Sequence, residues 1–140
     1  MALAAAAILA LAGCGGGAQT LSRHQLTVQA EVACRDANGR IASLREPRGL
    51  DGLAAYARGT RAITARLRRQ IGALRAPSAE RPAVARYLAA LDRGNALLVA
   101  LSTAAAAGDR GEVQALGERL VKTMAGPLAA QAGFHSCAAA

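Results

Sequence analysis

Leu53, Tyr56, Thr60, Ile63, Leu67, Ile71 and Leu74 follow one another at steps of three and four. At 100° per residue they fall within about 80° of arc. No strand can present such a set on one face, because side chains alternate across a strand with a period of two. The spacing therefore predicts an amphipathic helix from about Asp51 to Arg75, with a single apolar stripe that needs neighbouring helices to cover it. Arg58, Arg61, Arg66, Arg68, Arg69 and Arg75 lie away from that stripe.

The flanking segments repeat the pattern. Ser22 with Gln25 has the form of a capping box, and Leu21 with Leu26 occupies the hydrophobic-staple positions. Leu26, Ala30, Ala33, Ala37, Ile41 and Leu44 then mark one face, and Pro47 and Gly49 close the segment. A third helix is expected from about Arg81 to Ala107, with Pro82 tolerated in its first turn and Val84, Leu88, Leu91, Asn95, Leu98 and Ser102 facing inward. Gly108 stops it. Asp109 with Glu112 opens a fourth helix whose face is Val113, Leu116, Leu120, Met124 and Leu128. Pro127 lies within that pattern, so a kink or break is expected near Met124. Gly133 is the expected C-cap before Phe134 to Cys137.

Four amphipathic helices joined by short turns, with no strand-like alternation, predict an all-α chain. The expected architecture is an up-down-up-down four-helix bundle over 22–140. The only aromatic residues are Tyr56, Tyr87 and Phe134, so the core has to be built mainly from Leu, Val, Ile and Ala.

At the N-terminus, Leu11-Ala12-Gly13-Cys14 ends the apolar run that starts at Met1. This run stops after 12 residues, whereas a membrane span needs about 20. A core helix should show polar residues on one side, and none occurs before Gln19. The four residues resemble the lipobox of bacterial lipoprotein signal peptides. That resemblance implies a signal peptide over 1–13 and a lipid such as palmitate on Cys14. Residues 14–21 would then form a flexible tether, and the mature protein would sit on the extracytoplasmic face of the cell membrane. Ala33-Cys34-Arg35, an Asn-containing turn at Asn38, and the closing Gly133 to Cys137 also resemble small helical lipoproteins of GC-rich bacteria without assigned activity. This second resemblance implies a disulfide-closed bundle rather than a function.

With Cys14 committed to lipid, Cys34 and Cys137 remain as an even pair in an oxidising compartment that permits a disulfide. Two buried free thiols are the alternative. Neither cysteine has a second ligand at a zinc-type spacing. Cys34 lies 12 residues into the first helix. A bond to Cys137 therefore requires either that the tail doubles back or that the first turns overhang the bundle. The overhang, a helical stalk over residues 22 to 32, is the expectation here, because large apolar side chains are sparse there.

Sixteen Arg and one Lys face nine acids, for a net charge of +8. Part of that count reflects the codon usage of a GC-rich genome. The arginine face of the second helix is nonetheless the leading site, since no acid lies between Gly52 and Ala79. Guanidinium groups match phosphate and carboxylate, so anionic lipid, a wall polymer or an acidic envelope protein is the expected partner. The competing reading is a solvated face partly neutralised by acids on other helices. Nucleic acid is a poor partner, because the compartment is wrong and there are no stacking aromatics.

His24, His135 and Met124 are residue types that ligate haem or a metal, but the chain lacks a haem-attachment motif. No cofactor and no metal are expected. Asn95 and Ser102 on the apolar stripe are expected to fix register or bond to backbone, with lining of a small ligand cavity as the other possibility. No nucleophile, base and acid fall into a catalytic pattern. The expected function is a non-enzymatic, lipid-anchored envelope protein presenting a basic bundle, with a small apolar-ligand carrier as the second reading.

Overall fold

The computed structural model of the chain describes residues 19–123 and 125–139. Cys14, the lipobox, most of the tether and Met124 lie outside the described residues. The described residues are all-α, without a strand, in six helices: α1 Arg23–Ala42, α2 Gly49–Gly72, α3 Arg81–Ala106, α4 Arg110–Lys122, α5 Ala125–Gln131 and α6 His135–Ala138. The expected fourth helix is thus divided around residue 124. Its two parts pack on α3, and the whole is a helical bundle closed by the Cys34–Cys137 disulfide.

Local chemistry sets the helix starts. The Ser22 hydroxyl accepts from the Gln25 N–H, and the Gln25 side chain accepts from the Ser22 N–H, so the capping box is complete. Asp109 caps α4 by accepting from the Glu112 N–H at 2.9 Å. The boundaries shift by a few residues at α2, which starts at Gly49 and ends at Gly72.

Contacts along the chain give the topology. The Leu21 N–H donates to the Arg75 carbonyl, which places the start of α1 beside the end of α2. Pairing of Arg68 with Asp92 and of Thr64 with Asn95 runs α3 antiparallel to α2. Helix α1 touches α2 and α6, while α3 touches α2, α4 and α5. The ring is therefore completed by the tail, which fills the space between α3 and α1.

The core has two parts. One is built on Leu26, Ala30, Cys34, Leu67, Ile71, Tyr87 and Phe134, and so joins α1, α2 and α3 to the tail. The other, Ala57, Leu98, Leu101, Ala104 and Leu116, involves α2, α3 and α4. Small side chains suit such close helix packing, but two of the three aromatics sit at the centre of the first part. Tyr87 and Phe134 are 2% and 0% exposed. Their rings meet edge to face, with centroids 5.8 Å apart.

The expected stalk is not formed. Leu26 and Ala30 are 1% and 0% exposed, so the first turns of α1 are core rather than overhang. Instead the tail doubles back. Gly133 has φ +80, and the N–H groups of Gly133 and Phe134 donate to the carbonyls of Ala130 and Ala129, the paired bonds of a Schellman end. The chain then returns alongside α5. Its Ala138 carbonyl oxygen comes within 3.2 Å of where a Cβ at Gly126 would stand. Burying Phe134 is the physical reason for the turn, since full burial of such a side chain is worth about 1.5–3 kcal/mol.

Candidate functional site

The six arginines singled out on α2 do not form one patch. Arg58, Arg61, Arg66 and Arg69 are exposed and, among the described residues, enter no ion pair. Arg68 is drawn toward α3. Its Nε and Nη2 donate to the two carboxylate oxygens of Asp92 at 3.0 and 3.1 Å, and this pairing holds its guanidinium more firmly protonated. Arg75 lies at the α2 C-terminus, beside Arg81 in a hollow that also includes Thr20. On the other flank Arg66 shares a shallow groove with Asp36 and Gln29 of α1. The helical spacing explains this split: Arg68 lies nearer the α3 side of the stripe and Arg66 the α1 side.

The disulfide has its own polar surround. The Cα atoms of Cys34 and Cys137 are 5.1 Å apart, within the usual range for a bridge. Glu31, one turn before Cys34, accepts from the Ser136 N–H at 3.0 Å and from the Ser136 hydroxyl. Asn38, one turn after it, donates from Nδ2 to the Ser136 carbonyl at 2.7 Å. Burial works to raise the Glu31 carboxyl. The hydrogen bonds from Ser136 and the neighbouring Arg35 outweigh it and hold the group below the ordinary glutamate range. Asn38 is therefore helical and clamps the tail, not part of a turn as expected from the sequence. Glu31, Cys34 and Asn38 share one helix face at steps of three and four, and that spacing was the available signal.

Asn95 and Ser102 take structural roles. The Thr64 hydroxyl donates to the Asn95 side-chain oxygen between α2 and α3, fixing their register, and the Ser102 hydroxyl donates to the Val99 carbonyl at 2.8 Å. His24 and His135 are both exposed, and among the described residues no group of His, Cys, Asp or Glu is arranged to hold a metal. Between the two parts of the core a cleft of about 210 Å³ opens to solvent, bounded by Thr60, Thr64, Gly94, Asn95, Leu98 and Leu120 among others. A small cavity lined by Asn95 was the second of the two expectations for that residue, and Asn95 is among the residues that bound this cleft. Gly94 and Ala90 of α3 are among its lining residues.

Among the described residues no helix is long and apolar enough to cross a membrane. No family model matches the chain, and no curated protein or solved structure matches it either.

Proposed function

We propose that this is a non-enzymatic protein of the cell envelope, held by lipid on Cys14, that lays a basic helical face on an anionic surface. The observation that carries the reading is the exposure of Arg58, Arg61, Arg66 and Arg69 without an ion-pair partner among the described residues. A lipid on Cys14 would hold the domain at a membrane, and an exposed basic face adds an electrostatic signal of its own. The arginines of α2 would serve as that signal, with anionic lipid headgroups as the first candidates and a wall polymer or an acidic envelope protein as the others.

The test is sedimentation of a Cys14→Ser chain, which cannot carry the lipid, with vesicles of phosphatidylglycerol and phosphatidylcholine, against phosphatidylcholine alone. Binding to the anionic vesicles is expected at about 50 mM salt and is expected to collapse by about 200 mM, as screening shortens the reach of exposed charges. Changing Arg58, Arg61, Arg66 and Arg69 together to Gln should lower the affinity at least about tenfold. Equal binding to both vesicle types, indifferent to salt, would remove the reading.

A second reading, a carrier of a small apolar ligand, is favoured by one observation: the mainly apolar cleft of about 210 Å³ bounded by Thr60, Asn95, Leu98 and Leu120.

A further inference from the structure

A groove open to solvent follows the junction of α3 and α4. Arg93, Ala96, Leu97 and Ala100 line it from α3 at steps of three and four, so they form one stripe of that helix. Solvent reaches all three apolar members of the stripe. Arg119 and Lys122 line the groove from α4. Arg93, Arg119 and Lys122 are exposed, and among the described residues none of them enters an ion pair. Arg119 and Lys122 lie in the last turn of α4, where positive charge suits a helix C-terminus. Arg93 has no such reason: it stands inside α3, and its neighbour Asp92 is committed to Arg68. The turn at 107–109 sends α4 back along α3, which brings Arg93 and Lys122 to the same end of the groove. Glu112, the one acid among the described lining residues, lies ten residues before Lys122 and so toward the other end. The groove is thus basic at one end, apolar along its floor and acidic at the far end.

We infer that this groove binds a fatty-acid anion. Its carboxylate sits among Arg93, Arg119 and Lys122, and its single chain lies over Ala96, Leu97 and Ala100. Charge complementarity selects the head, since guanidinium forks match a carboxylate and three cations face one acid. The floor selects the tail. An inorganic anion would leave the apolar stripe uncovered, and an uncharged chain would leave the cations without a countercharge. A dicarboxylate would bring its second charge toward Glu112. A bilayer lipid has two tails, whereas one stripe of side chains takes one. Length narrows the class further: from Arg93 to Ala100 the helix rises about 10 Å, which suits a chain of roughly eight carbons. The site rests neither on the lipid anchor nor on the arginine face of α2, and it differs from the carrier reading in both place and ligand.

Lys122 is the only lysine of the chain, which supplies the test. Reductive methylation with isotope-labelled formaldehyde marks its ammonium and the α-amine, and both keep their charge. In the Cys14→Ser chain the two labels are followed by NMR at about 50 mM salt, while octanoate, octanol or butyrate is added. Octanoate is expected to give a saturable shift at Lys122 and none at the α-amine, with an affinity at least about tenfold above those of octanol and butyrate. Arg93→Gln together with Arg119→Gln should weaken octanoate at least about tenfold. Changing Arg58, Arg61, Arg66 and Arg69 to Gln should leave it unchanged. All of these side chains except the label are exposed arginines outside the core, so the variants keep the fold. Octanol binding as tightly as octanoate would overturn the part given to the cations, and butyrate doing so would overturn the part given to the floor. Loss of binding in the α2 variant alone, or no saturable shift at Lys122 with octanoate, would overturn the site, whatever vesicle sedimentation shows for α2.

Discussion

Reducing the Cys34–Cys137 bond is the sharpest perturbation of this fold, because it alters no side-chain volume. The two cysteines stand 103 residues apart. In the chain-entropy model a loop of that length removes about 4.7 kcal/mol of disorder from the unfolded chain at 25 °C. The native tail keeps its other attachments: buried Phe134, the Glu31 carboxylate on Ser136, and Asn38 on the Ser136 carbonyl. The loss should therefore fall on the unfolded state rather than on the folded one. Urea denaturation followed by helical circular dichroism, with and without reductant, measures it. For a slope of about 2 kcal/mol/M the midpoint should drop by about 2 M. Native NMR resonances of Phe134 and Ser136 should persist in the reduced protein below the transition. A change under about 1 kcal/mol would refute the argument. So would release of the tail resonances while the remaining helices stay folded, since the bond would then act as a clasp on the native state.

Other outcomes follow from the packing. Phe134→Ala should cost about 3–5 kcal/mol, with Tyr87 losing its edge-to-face partner; thermal or urea denaturation reads the difference. Gly94→Ala should raise stability by about 1 kcal/mol, because the new methyl meets no atom within 4 Å and glycine is a poor residue inside a helix. The Glu31 carboxyl is held below its ordinary range in the folded protein, so its contribution is present above the unfolded value of 4.5 and is lost as pH falls through the folded value. Glu31→Gln should accordingly flatten the acid side of the stability–pH curve, as seen in urea midpoints across that range.

Helix faces and caps were legible because their causes are local. The stripe from Leu53 to Leu74, the Ser22 capping box and the break ahead of Pro127 all depend on residues within a few positions of one another. Closure of the bundle was not. Whether Cys137 meets Cys34 through an overhanging stalk or a returning tail is decided by where Phe134 can be buried. That depends on Tyr87 and Leu26, residues distant in sequence. Sparse large side chains near residue 30 read as an exposed stalk, yet Ala30 is 0% exposed because small side chains let neighbouring backbone approach. The arginine face was legible as a set of positions, while the diversion of Arg68 to Asp92 depends on how α2 and α3 are placed side by side. The cleft beside Asn95 was legible only as one of two readings of that residue, since its shape depends on how α2, α3 and the later helices are set side by side.

The doubling-back of the tail also has a consequence for the order of events as the chain is made. Helix α1 is made well before the segment that completes its packing, because Leu26 and Cys34 share their core with Phe134 and Cys137, the two cysteines 103 residues apart. Until Phe134 is released, Tyr87 has no aromatic partner in that part of the core. That part of the core therefore closes only once residue 137 has been made, while the part built on Leu98 and Leu116 does not depend on the tail.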